Sequence, residues 1–279
     1  MACDVWLERS GPMRKLLLFP ILIVSAALAS GISLPFNVIS MQYAHCAEVD
    51  LKLPNVLLIG DSTQIRYYPE VREALRGKAN VFRIVELAPQ RAYSLIYGGP
   101  LLQPVNAGST RLATERLSEW LGHERWDVVH FNWGLHDLIL GDKSDANNQR
   151  ADQAVQAYRQ NLKLLISRLK ETRAQLVLAT TTPVSPDLGY SPAMVEAFNE
   201  AAKRASLESN ILVNDLYAAT YPRLSELQYS NDVHFNNSGT TLLAHETASS
   251  ISTALSLSAQ REGRPKLGVR PLKLWTSKL

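Results

Sequence analysis

The strongest constraint on what this chain can fold into is Val56-Leu57-Leu58-Ile59, an uncharged apolar run that leads directly into Gly60-Asp61-Ser62. A run of this kind reads as a short strand buried on both faces, as in a parallel sheet covered by helices on each side. It ends where such sheets open their ligand crevice, at the carboxyl end of a strand. Gly60 permits a sharp turn there. A helix beginning after it would aim free backbone N–H groups at any negative charge beside Ser62. Taken alone, the stretch fits an ordinary strand-to-helix turn with Ser62 as a cap equally well.

The chain that follows alternates strand-like and helix-like segments, which predicts α/β architecture around a parallel sheet. Strands are expected at 55–59, 81–86, 126–131, 176–180 and 211–213. Helices are expected at 67–76, 110–121, a long segment carrying Val155, Tyr158, Leu162, Leu165 and Leu169 on one stripe, 194–209, and 238–255. The stretch 88–109 holds Gly98, Gly99, Gly108, Pro89, Pro100 and Pro104 and reads as a long irregular loop, with Tyr93 and Tyr97 available to line a pocket. The polar segment 141–150 reads as a solvated surface loop. Its Asp142, Asp145 and Asn147 lack the turn glycine of a calcium loop, and no metal site is expected.

Composition narrows the class. With 279 residues, 46% hydrophobic and 20% charged, the chain can bury one sizeable core. A net charge of +3, with no basic motif, does not point to nucleic acid. Cys3 and Cys46 are too few for a disulfide framework or a usual zinc site, and both precede the folded region.

The N-terminus supplies the compartment instead. Met13-Arg14-Lys15, the apolar run 16–29 and Ala27-Leu28-Ala29 together form a secretory signal pattern, and Met13 offers an alternative start. Apolar character continues through Ile32 and Leu34, so an uncleaved span of about 17–20 residues attaching the chain to a membrane is the alternative. Either way the folded part is expected in the secreted, periplasmic or envelope space. Residues 30–53 read as a spacer, 54–257 as the domain, and 258–279 as a basic solvated tail.

Right-handed crossovers would bring the strand ends to one edge of the sheet. A serine early and a histidine late on that edge, Ser62 and His234, is what a nucleophile and its base require. The G-x-S-x-G elbow of the α/β-hydrolases is absent, since Gln64 stands where the last glycine belongs.

Gly60-Asp61-Ser62, Asn106-Ala107-Gly108, Gly134-Leu135-His136-Asp137 and Asp232-Val233-His234 together resemble the four blocks of the SGNH (GDSL-type) hydrolase superfamily, over about residues 54–257. The resemblance implies a three-layer α/β/α, flavodoxin-like fold with a five-stranded parallel sheet. It implies ester hydrolysis through a serine acyl-enzyme without metal or organic cofactor. It assigns Ser62 as nucleophile and His234 as base, with an oxyanion held by the N–H groups of Ser62 and Gly108.

Two positions depart from the family pattern. His136 stands where the third block has an asparagine that donates to the oxyanion; a neutral imidazole can supply one N–H, or the residue packs beneath the site. Asn231 stands where the last block has its aspartate, three residues before the histidine, while Asp232 lies two before it. Asp232 through an altered turn, Asn231 through its amide oxygen, or a backbone carbonyl are the candidates to orient His234.

Among the other polar residues, Asp61 and Asp137 are read as turn acceptors and His130 as a core histidine. The chemistry expected is cleavage of small acyl esters, acetylated carbohydrate among them. Transfer of the acyl group to a sugar hydroxyl, or a binding protein that keeps the fold without catalysis, are the alternative outcomes.

Overall fold

The computed structural model describes residues 42–44, 49–87, 102–140 and 149–261. In chain order these form β1 (Gln42–Ala44), β2 (Asn55–Ile59), α1 (Ser62–Ala74), β3 (Asn80–Leu87), β4 (Leu102–Pro104), α2 (Thr110–Leu121), β5 (Val128–Asn132) and α3 (Leu135–Leu140). There follow α4 (Gln149–Glu171), β6 (Gln175–Ala179), α5 (Pro192–Ser209), β7 (Leu212–Asn214), α6 (Leu216–Thr220), α7 (Leu224–Leu227) and α8 (Asn237–Arg261).

The sheet runs β1-β3-β2-β5-β6-β7, with β4 also on β3. Strands β3, β2, β5, β6 and β7 are mutually parallel, which is the five-stranded core expected from the sequence. Two three-residue strands, β1 and β4, extend it, both antiparallel to β3. Arg83 pairs with β2 and β1, and Val85 with β4 and β1. Strands β2 and β4 therefore lie end to end along one edge of β3. The expectation of an entirely irregular 88–109 is corrected by β4, and the segment 30–53 contributes β1. Neither strand is longer than three residues, so pairing with β3 rather than local pattern creates them. Tyr93, Tyr97, Cys46, the 16–29 run, the 142–147 acids and the tail beyond 261 lie outside the described residues.

Alternate strand side chains enter two cores. Leu57, Ile59, Val129, Phe131, Leu176 and Leu178 pack with Leu117, Trp120, Leu162, Leu165 and Phe198 from α2, α4 and α5. Val56, Leu58, Val128, Val177 and Ala179 pack with Tyr67, Tyr68, Val71, Leu243 and Ile251 from α1 and α8. Each fully buried aliphatic or aromatic side chain contributes about 1.5–3 kcal/mol. Burial on both faces is why the strands read as continuous apolar runs.

Candidate active site

The parallel strands take the order 2-1-3-4-5 in sequence, so the winding reverses between β2 and β5. That switch point is where a doubly wound sheet leaves a crevice at its carboxyl edge. The register pairs Ile59 with Phe131, so the turns after β2 and β5 leave the sheet side by side. Ala107 N–H donates to the Gly60 carbonyl at 2.9 Å, drawing the segment after β4 to the same place.

Ser62 is the first residue of α1 because Asp61 caps the helix. The Asp61 carboxylate accepts from Thr63 N–H at 2.9 Å and Gln64 N–H at 3.4 Å, and Ile65 N–H reaches the Asp61 carbonyl at 3.0 Å. The sequence pattern placed this helix five residues later, at Tyr67; a buried cap starts it early. Among the described residues the Ser62 N–H alone of these early donors has no partner. Burial pushes the Asp61 carboxyl up, partly offset by the His136 and His234 imidazoles and the Thr63 and Gln64 N–H groups. A Cβ on Gly60 would lie 2.6 Å from Gln64 Cβ, so the turn needs glycine for close approach.

His234 reaches the site from the short hairpin ahead of α8. Its Nε2 lies 2.8 Å from Ser62 Oγ, and its Nδ1 lies 2.7 Å from Asp232 Oδ1. The same oxygen accepts from Val233 N–H at 2.7 Å and His234 N–H at 3.2 Å. Burial raises the Asp232 carboxyl, but the hydrogen bonds from the His234 ring and these backbone groups outweigh it and hold it below the usual range. Asn231 adopts the left-handed conformation, φ 52°, which asparagine tolerates. That turn brings Asp232 onto the ring from two residues upstream, whereas among the described hydrogen bonds Asn231 makes none to His234.

The third block is positioned by a clamp. Tyr158 and Thr181 both donate hydroxyl bonds to the Trp133 carbonyl, at 3.0 and 3.3 Å. Gly134 follows with φ 141°, and a Cβ there would lie 2.0 Å from Thr181 Oγ1. Asp137 accepts from both the backbone N–H and the hydroxyl of Thr110. It thus ties α3 to the start of α2 as a backbone-holding acceptor. Burial raises its carboxyl, and the Thr110 hydroxyl and N–H pull it back. His136 lies between these anchors, half-buried, and its ring has no hydrogen-bond partner among the described residues.

Gly108 has φ 59°, a conformation that favours glycine. Its N–H donates to Asn106 Oδ1 at 3.0 Å, which differs from the expectation of a donor free for the oxyanion. The Asn-x-Gly spacing of an Asx turn was the available signal for Asn106. His130 is fully buried away from the site, its Nε2 3.1 Å from Asn214 Nδ2, as expected of a core histidine. Among the described residues no cluster of His, Cys, Asp and Glu could hold a metal ion, and no helix is long and apolar enough to cross a membrane.

A doubly wound sheet with a Ser–His–Asp chain across its switch point defines the class of SGNH-type ester hydrolases. The chain belongs to the GDSL-like lipase/acylhydrolase family, whose model matches residues 59–242, and is accordingly an ester hydrolase. Among solved structures it is similar to the lipase/acylhydrolase from Enterococcus faecalis, at 17% identity and TM-score 0.54, covering 72% of this chain and 96% of that one. It is also similar to the acetylxylan esterase Axe2 from Geobacillus stearothermophilus, at 16% identity and TM-score 0.53, covering 71% and 94%. The acetyl xylan esterase AlAXEase matches at 16% identity and TM-score 0.53, covering 71% and 99%. These likenesses are of fold. No curated protein matches the chain in sequence.

Proposed function

We propose that the protein hydrolyses small acyl esters, acetyl groups on carbohydrate foremost, through a covalent acyl-enzyme on Ser62. The observation that carries this reading is the 2.8 Å approach of His234 Nε2 to Ser62 Oγ, with Asp232 on the far side of the ring. In the reading, Ser62 Oγ attacks the acyl carbon while His234 takes its proton. Asp232 fixes the Nδ1–H tautomer and stabilises the imidazolium. The negative oxygen of the tetrahedral intermediate lies against the free Ser62 N–H, and the His136 ring supplies a second donor. Gly108 joins them when its N–H exchanges the Asn106 amide oxygen for the oxyanion. The alcohol leaves with the proton from His234, and water repeats the sequence to release the acid.

The acetyl-carbohydrate choice draws on the fold likeness to two acetylxylan esterases. Placement outside the cytoplasm draws on the 13–29 signal pattern alone. The test is turnover of p-nitrophenyl acetate and labelling by a fluorophosphonate. Wild type is expected to turn over and to label at Ser62, and Ser62→Ala to do neither. A folded Ser62→Ala protein with undiminished turnover would refute the mechanism, and an unlabelled wild type would favour a binding protein. Acylated product in the presence of a polyol acceptor would identify a transferase.

A further inference from the structure

We propose that Tyr229 forms the leaving-alcohol side of the site and selects esters whose alcohol presents a flat ring face, a pyranose. This rests on the reading of Ser62 and His234 as an esterase pair. Gln228 and Phe235 form an antiparallel bridge. One step toward the hairpin tip, Tyr229 N–H donates to the His234 carbonyl at 3.1 Å, so these two residues stand across from each other. Directly opposed residues of an antiparallel pair project to the same face, and the face alternates along each strand. Burial agrees: Gln228 and Phe235 are 8% and 2% exposed, whereas Tyr229 is 45% exposed. Tyr229 and His234 therefore leave the hairpin together, on the side where His234 meets Ser62.

A single exposed tyrosine needs no explanation. The backbone that carries this one is held in place. Gln228 Nε2 donates to the carbonyls of Pro183 at 2.9 Å and Val233 at 3.2 Å. Asn236 N–H donates to the Leu227 carbonyl at 2.9 Å. Helix α8 presses on the hairpin so closely that a Cβ on Gly239 would lie 2.7 Å from Phe235 Cδ1 and 2.4 Å from the Leu227 oxygen at the end of α7. A rigid ring with two side-chain torsions offers contact area at low entropic cost. Its position decides which part of the substrate it meets. His234 must hand its proton to the departing oxygen, so a ring beside His234 lies along the alcohol rather than the acyl group.

The experiment compares kcat/KM of the full chain on peracetylated xylose and on ethyl acetate, whose alcohol is too short to cover the ring. In Tyr229→Ala the ratio of the first to the second is expected to fall about fivefold, through KM, the worth of one stacking contact. Tyr229→Phe is expected to keep the ratio within about twofold, since the ring and not the hydroxyl stacks. An unchanged ratio in Tyr229→Ala overturns the proposal. So does an equal loss on both esters, which would make Tyr229 a residue that positions His234. Ethyl acetate turnover surviving in Ser62→Ala would break the underlying reading instead.

Discussion

Asp232 holds the His234 ring at 2.7 Å from only two residues upstream, and it does so because Asn231 before it takes a left-handed turn. The carboxylate is spent on the backbone N–H groups of Val233 and His234 as well as on the ring. Asp232→Asn keeps the shape but can present an N–H where an acceptor is needed. We expect kcat to fall by roughly 10²–10⁴ with little change in melting temperature, the side chain being 40% exposed. Asn231→Ala is expected to leave kcat within about threefold, and Asn231→Val to lower stability through its left-handed φ. Steady-state kinetics and thermal melts of the three variants check this.

Thr181, which with Tyr158 clamps the Trp133 carbonyl, leaves no space for a Cβ at Gly134. Gly134→Ala must move Thr181 or the turn that carries His136. We expect a loss of about 3 kcal/mol and a melting temperature lower by roughly 10 °C. Adding Thr181→Ala, which removes the clashing hydroxyl, should restore part of both stability and activity. Failure of the double variant to recover anything would place the strain in the backbone φ alone.

These two positions also show how far the sequence could be read. The five core strands were legible because burial on both faces writes itself as uninterrupted apolar residues, as in Val56–Ile59. Ser62 and His234 were legible because their neighbours form a spaced pattern. Strands β1 and β4 were not, since three residues carry no periodicity and their pairing to β3 is tertiary. The choice between Asn231 and Asp232 depended on one backbone dihedral, and the state of the Gly108 N–H on one side-chain rotamer of Asn106. Tyr229 belongs to no motif. Its relation to His234 comes from hairpin register alone.

His130 gives a prediction in pH. Burial pushes its pKa down from 6.5 to about 3. Its Nε2 accepts from the Asn214 amide, an arrangement that needs the ring neutral. Below the unfolded value the unfolded chain takes a proton that the folded chain refuses, so stability falls as pH drops from about 6.5 toward 3. The slope from this one group is about 1 kcal/mol per pH unit. Asp232 and Asp215, whose carboxyls are held low, add to the loss only below their ordinary value of 3.8. Between pH 6 and 4.5 a His130→Gln variant is therefore expected to show a flatter dependence of the urea midpoint than wild type. Equal slopes in that window would show that His130 titrates normally in the folded state.

His136 occupies the position from which the family pattern supplies an asparagine donor, and among the described residues its ring is unengaged between the Gly134 clamp and the Asp137 tether. It faces Asp61, the residue that caps the helix beginning at Ser62. If it donates to the oxyanion, the contact exists only when charge has developed on the carbonyl oxygen, so its removal should act on kcat and spare KM. Loss of one such donor costs about 3–4 kcal/mol in the barrier, or roughly 10²–10³ in kcat. His136→Ala is expected to show that loss. His136→Asn puts a donor back at the same backbone position and is expected to recover all but about tenfold. A packing role predicts the opposite pattern: lower thermal stability in both variants, with kcat falling in step with the folded fraction. Kinetics and melts of the pair, at a pH where wild type is fully folded, separate the two.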